Sequence, residues 1–258
     1  MVRVALPMAW TTGQKYLAEF LGTFALLLFG GGAAVTSLTI PFGDPLARVV
    51  LVSLAFGIAI IGAAYALGEI SGGHFNPAVT LSMALNRRMP LADVVPYIVA
   101  QLIGAIVGIG VVAGVVHGNT VAWNTAVGAA LGSQCYSGNS APCGFSMGSV
   151  FLLEVALTFV FVLVIQLITR PENGAKNLAP MGIGLTLAVT NLVAIPIDGA
   201  SINPVRTFAP ALVTLATGSG APSWAIDPSW LFWIAPILGG LLAAVVESYL
   251  RPAPVASS

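Results

Sequence analysis

The chain has 258 residues, 57% of them hydrophobic, with nine basic (Lys+Arg) and nine acidic side chains and a formal net charge of zero. Charged residues make up 7%, where a soluble domain carries about 25%, and the mean hydropathy is +0.96. So few charges cannot cover a water-facing surface, which excludes a soluble enzyme and a disordered chain, and zero net charge leaves no basic patch for nucleic acid; an integral membrane protein remains.

Six continuous apolar runs follow one another, at about 16–38, 48–68, 95–116, 148–169, 179–197 and 230–250. Each is long enough to cross about 30 Å of hydrocarbon as a helix. Barrel strands would instead alternate apolar and polar residues over about ten positions. The first run does not read as a leader peptide: it is too long, holds Glu19 and lacks a convincing cleavage site. Arg3 and Lys15 precede the first run, Arg87 and Arg88 follow the second, Arg170 and Lys176 follow the fourth, and Arg251 follows the sixth. If the runs alternate direction, all seven fall on one side, against Arg48 and Arg206 elsewhere. The positive-inside rule then predicts a multi-pass protein with both termini in the cytoplasm. It also places the 117–147 connection outside. Cys135 and Cys143, the chain's two cysteines, lie in that connection, and their spacing leaves open whether they pair.

The chain repeats itself. Glu19 opens Glu-Phe-Leu-Gly-Thr-Phe, and Glu154, 135 residues later, opens Glu-Val-Ala-Leu-Thr-Phe. Gly-Gly-His-Phe-Asn-Pro-Ala-Val-Thr (72–80) is answered by Gly-Ala-Ser-Ile-Asn-Pro-Val-Arg-Thr (199–207), its Asn 127 residues on. Residues 1–258 are thus expected to form one channel domain of two repeats, 15–116 and 148–250, joined by 117–147. Three spans per half is an odd number, so the second half enters the membrane from the opposite face. That is an inverted repeat, which builds its site near the bilayer midplane.

Each Asn-Pro pair opens a segment that is too apolar for a loop and too short to span. About ten helical residues at 77–86 would cover roughly 15 Å, half the hydrocarbon core. Pro77 and Pro204 suit the first helical position, and Asn76 and Asn203 suit the cap before it. The fold class predicted is all-α: six membrane helices plus two re-entrant half-helices meeting N-terminus to N-terminus. A capping Asn uses its side-chain oxygen on the helix amides, which leaves its NH₂ as a fixed donor toward the centre. Two such donors and two positive dipole ends would turn a passing water's oxygen toward both. Arg206 lies in the first turn of the second half-helix, where a cation opposes the dipole. It also sits at membrane depth, where charge is costly. The matching residue in the first half is Val79. Such a charge on one arm reads as a cation lining a lumen, where it would repel protons and other cations.

Asn76-Pro77-Ala78 and Asn203-Pro204-Val205-Arg206, with six spans, duplicated Glu residues and Ser71-Gly72-Gly73-His74 before the first box, resemble the aquaporin or major intrinsic protein family. The resemblance covers residues 15 to 250. It departs at Val205, where the family usually carries Ala. It implies a passive water channel, a homotetramer in the cell membrane lipid bilayer, and a narrow filter. By position that filter falls on Phe56, Asn191, Ala200 and Arg206. At the place of Asn191, water-selective members usually carry His and glycerol-conducting members Gly. Asn191 is neither, and with Ala200 it implies a slightly wider pore. Thr207 and Ala211 stand where glycerol members carry Asp and a cation, and Phe232-Trp233 matches the aromatic pair of water members. Passage of glycerol, ammonia or hydrogen peroxide is the runner-up.

Glu19 and Glu154, inside apolar runs, are read as buried acceptors that anchor the re-entrant loops, with Gln101 in a similar role. His74 is a candidate lining residue and a candidate pH gate. Glu69, Asp93 and Glu172 read as interface charges. Neither a Ser-His-Asp set nor a metal cluster nor a phosphate loop is legible, so no enzyme activity, cofactor or metal is expected. Two other classes stay open. A secondary transporter would need ion-coupling carboxylates at the midplane, whereas both candidates sit at loop-anchoring positions. A structural protein with a closed lumen would not need a one-sided Arg206.

Overall fold

Inside a membrane the backbone has no water to bond, so apolar runs close their hydrogen bonds within helices. A computed structural model describes residues 9–39, 44–138, 142–173, 175–218 and 220–251; Arg3 and both chain ends lie outside the described residues. Among the described residues all regular structure is helical, and six helical segments are long and apolar enough to span.

In chain order, α1 (Thr12–Leu26) continues through a π-helical turn (Leu27–Gly31) into α2 (Gly32–Thr39), together one span. Thr11 and Gln14 form a capping box at its start. Next come α3 (Pro45–Ser71), capped by Asp44, then the half-helix α4 (Pro77–Leu85) and α5 (Val94–His117). A short helix α6 (Thr120–Gly128) leads to α7 (Met147–Ile168) and α8 (Ala179–Asp198). The second half-helix α9 (Pro204–Ala216) and the last span α10 (Ser229–Tyr249) complete the fold. The 117–147 segment is thus more than the plain connection expected from sequence; α6 forms there because the Asn119 side chain accepts the Ala122 N–H at 3.0 Å. Ala126 and Val127 then bury its apolar side.

The two halves pack by the same rule. A Cβ on Gly104 of α5 would strike the Phe20 carbonyl of α1, and one on Gly239 of α10 would strike the Val155 carbonyl of α7. Both members of each pair are separated from their counterparts by 135 residues. Gly57 of α3 and Gly184 of α8 are themselves counterparts, 127 apart, and each lies against the other's carbonyl. They therefore sit on the pseudo-two-fold axis. Small residues at these crossings let helices approach where lipid offers no hydrophobic drive.

The two ends of the bundle differ. At one, Arg88 donates to the Gln166 and Thr169 carbonyls at 2.9 and 2.8 Å, while the Glu247 carboxylate pairs with Arg170 at 3.0 Å and Arg251 at 2.8 Å. Burial pulls the Arg88 guanidinium below its ordinary range. The hydrogen bond to Glu247 pushes Arg251 up. At the other end Cys135 and Cys143 form a disulfide, and the Cys135 N–H donates to the Asp198 carbonyl at 3.2 Å.

Candidate functional site

Asn76 and Asn203 cap α4 and α9 from extended backbone (φ −160° and −146°), each followed by proline. Asn76 Oδ1 accepts the Ala78 N–H at 2.8 Å, and Asn203 Oδ1 the Val205 N–H at 3.2 Å. The NH₂ groups are less free than the sequence alone implies. Asn76 Nδ2 donates to the Ile202 carbonyl and Asn203 Nδ2 to the Phe75 carbonyl, both at 2.9 Å. Both asparagines are buried, and a backbone carbonyl at that depth needs a donor; each asparagine supplies one to the opposite arm. One N–H per amide is left over from these bonds.

The loops before the asparagines are strained alike. Phe75 and Ile202 adopt φ of 49° and 58°, a left-handed conformation that costs a non-glycine residue about 1–3 kcal/mol. Carboxylates hold them there. Glu19 accepts the His74 and Phe75 N–H groups at 2.9 and 2.7 Å. Glu154 accepts those of Ser201 and Ile202, both at 2.8 Å. Both carboxylates are 0% exposed. Glu19 also receives the Ser71 hydroxyl at 2.7 Å and the Gln101 amide at 2.7 Å.

Arg206 projects from the first turn of α9 and is 4% exposed. Its Nη1 donates to the Gly132 carbonyl at 2.8 Å, and its guanidinium carbon stands 4.9 Å from the Phe56 ring centroid. Gly30, in the π-helical turn, lies against the Phe56 ring and has no side chain to obstruct it. On one side of Arg206 opens a vestibule of about 350 Å³, lined among others by Arg48, Cys135, Cys143, Asp198, Gly199 and Trp224. On the other side the space shrinks to about 20 Å³ measured to water centres; one water needs about 10–15 Å³ on that measure. That narrow space has an apolar wall of Leu26, Phe56, Ile60, Phe161 and Leu187. Its polar wall is His74, Asn76, Asn191, Ser201, Asn203 and Arg206.

Of the residues singled out in the sequence, Phe56, Asn191, Arg206, His74 and both asparagines therefore share one passage. Ala200 is placed differently: it is fully buried with φ of 59° and lines neither space, whereas its neighbours Gly199 and Ser201 do. Asn191 donates Nδ2 to the Leu187 carbonyl of its own helix at 3.0 Å, which leaves its oxygen as an acceptor. His74 Nδ1 is 3.2 Å from the Thr80 hydroxyl. Pro77, Ala78, Pro204 and Val205 are buried in the first turns of their half-helices. Phe232 is buried and Trp233 packs edge-on to Phe208. Sequence reasoning passes over Ser201, Thr80, Thr207, Gln134 and Asp198 as lining or supporting groups. Thr207 bonds Gln134 at 2.6 Å and Ser201 at 2.7 Å. Extending the 127-residue register outward from the boxes pairs Ser71 with Asp198, His74 with Ser201 and Thr80 with Thr207, a signal that finds four of the five.

Residues 8–247 match the major intrinsic protein family. Aquaporin Z of Rhodopseudomonas palustris is 41% identical over 243 residues, covering 93% of this chain and 95% of that protein. Glycerol uptake facilitator protein-like 6 of Lactiplantibacillus plantarum is 42% identical over 232 residues, 90% of this chain and 95% of that one. Among solved structures, the aquaglyceroporin from Plasmodium falciparum superposes with a TM-score of 0.75 at 22% identity, covering 93% of this chain and 97% of that one, a likeness of fold.

Proposed function

Because this chain belongs to the major intrinsic protein family, we propose that it is a passive water channel that excludes protons and ions. The observation that carries this reading is the narrow space between Arg206 and the two asparagines, whose volume of about 20 Å³ has room for about one or two waters. At the midplane the remaining N–H of Asn76 and of Asn203, with two helix dipoles behind them, take both lone pairs of one water. That water then donates both its hydrogens along the file and accepts from neither neighbour, so a proton relay is broken there. Arg206 adds a fixed cation at the narrow end of the vestibule. An arginine combined with the positive ends of half-helix dipoles is the general electrostatic barrier by which aquaporin-type pores turn back protons and cations.

The charged end of the bundle, with Arg87, Arg88, Arg170 and Arg251, is assigned to the cytoplasm and the disulfide end to the outside. A homotetramer in the cell membrane fits the exposed apolar faces of α3 and α8, where Leu54, Ile58, Leu185 and Val189 are uncovered; such faces meet lipid or another copy. The second reading, a pore that also passes glycerol, is favoured by Asn191, whose free oxygen can accept from a solute hydroxyl, and by the resemblance to the Lactiplantibacillus facilitator.

The test is light scattering from proteoliposomes under separate sucrose and glycerol gradients. Shrinkage faster than in empty vesicles, with low activation energy and no sodium or proton current, is expected. Glycerol flux rivalling water flux would replace the first reading by the second.

A further inference from the structure

The two arms differ at the residue that precedes the left-handed turn. In the first arm Ser71 does two jobs: its Oγ accepts the Gly73 N–H at 3.1 Å and its hydroxyl donates to Glu19 at 2.7 Å. Its counterpart 127 residues on is Asp198. Asp198 does the first job in the same register, with Oδ1 accepting the Ala200 N–H at 2.8 Å. It is 1% exposed, and among the described residues its Oδ2 receives no hydrogen bond. Asp198 stands to Glu154 in the register in which Ser71 stands to Glu19, since Glu19 and Glu154 accept the equivalent N–H groups of the two arms. Glu154 is already committed as an acceptor, to the Ser201 and Ile202 N–H groups. Two ionised carboxylates cannot bond each other, and side by side in a buried site they repel. The second job of Ser71 requires a hydrogen.

We propose that Asp198 is held as a neutral carboxylic acid whose Oδ2 hydroxyl donates to Glu154, and that it is thereby a positioning residue for the loop that precedes Arg206. Its unpartnered Oδ2 is then the donor that the first arm obtains from a serine. Through its backbone carbonyl Asp198 also holds the Cys135 N–H, so one residue ties the disulfide segment, the turn at Ala200 and the Glu154 anchor together. Each arm then carries one buried carboxylate. With Asp198 ionised, the vestibule that Asp198 and Arg206 both line would carry a negative charge that offsets the Arg206 cation.

The test uses the full chain in proteoliposomes at neutral pH. Infrared difference spectra of wild type against Asp198→Asn should show a buried carboxylic-acid C=O stretch, shifted in deuterium oxide, that the variant lacks; Asp198→Ser gives the same difference if the Asn protein does not fold. Absence of that band overturns the proposal. This spectroscopic arm stands apart from the conduction reading, on which the flux arm rests. Asp198→Ala, which can neither accept nor donate, should lower water flux about tenfold, the factor that corresponds to about 1.4 kcal/mol. Asn, which accepts and donates, and Ser, which copies Ser71, should restore it without cation leak. Flux in Asp198→Ala equal to wild type would show that Asp198 positions nothing. Cation leak in Asp198→Asn would show that it serves as an ionised partner of Arg206.

Discussion

The arm built on Asn76 and the arm built on Asn203 share a backbone but not a chemistry. Gly72 and Gly199 have φ of 94° and 93°, Gly73 and Ala200 64° and 59°, Phe75 and Ile202 49° and 58°. Each chain segment reaches its asparagine through the same turns, and each hands two N–H groups to one carboxylate. The side chains then diverge. His74 answers to Ser201, Ser71 to Asp198, and Val79, buried in α4, to Arg206 in α9. Backbone conformation is what the fold needs twice, so it is symmetric. Charge is needed at one end of the passage, so it is not.

The largest break in this comparison comes from removing an anchor. Glu154→Ala leaves the Ser201 and Ile202 N–H groups buried without acceptors. At about 1–3 kcal/mol for each orphaned donor the pair costs about 2–6 kcal/mol, a large share of a folding stability of about 5–15 kcal/mol. Glu19→Ala orphans the His74 and Phe75 N–H groups and strands the Ser71 hydroxyl and Gln101 amide as well. Thermal unfolding in detergent should therefore fall steeply in both variants, and further in Glu19→Ala. Equal and small shifts would mean that the carboxylates do not hold the turns.

Next in size is Arg206→Val, which gives the second arm the residue the first already carries. A unit charge repels another at 4 Å by about 4 kcal/mol at an effective dielectric near 20. Voltage clamp and pH-dye flux should register a cation or proton leak, with water passage intact or faster. If the variant stays as tight as wild type, the asparagines and dipoles carry the exclusion and Arg206 selects among neutral solutes.

Much of this architecture is legible in the chain itself. Run length sets the six spans, the Glu and Asn-Pro repeats set the inverted halves, and proline after asparagine sets the half-helix starts. What stays hidden needs three dimensions. That Asn76 and Asn203 donate across to each other's loop carbonyls follows from how closely the arms approach, which no local pattern reveals. Counting back from Asn203 assigns Ala200 to the filter; the structure holds it fully buried with left-handed backbone, outside both lined spaces, and a count carries no backbone angle. Gln134 reaches Thr207 from the connecting segment, 73 positions away.

A smaller effect concerns the disulfide, which belongs to the second arm alone. Closing a loop with a sequence separation of eight stabilises by about 2–3 kcal/mol on the chain-entropy account. The double variant Cys135→Ser/Cys143→Ser should unfold at a lower temperature yet still conduct water, since the Cys135 N–H to Asp198 bond is a backbone contact. Mercurials should not slow wild-type flux, because among the described residues neither cysteine is free. A double variant with no flux would make the disulfide a condition of the passage.

The smallest expected effect tests where discrimination between solutes lies. Asn191 sits on α8 and faces the passage beside Arg206, with its amide nitrogen bonded to Leu187 and its oxygen unspent. A guanidinium that donates and an amide oxygen that accepts form a complementary pair for a solute hydroxyl. Water uses the same pair but has alternatives along the file. Asn191→His substitutes a bulkier ring and removes that oxygen. A neutral hydrogen bond is worth about 0.5–1.5 kcal/mol net, so glycerol flux should fall about two- to tenfold while water flux changes less. The ratio of the two fluxes under matched gradients is the measurement. If both fall together, Asn191 acts by bulk alone, and the choice between solutes is made by Arg206 and Phe56. If glycerol flux rises, the asparagine was narrowing the passage, and it is a stricter filter there than histidine would be.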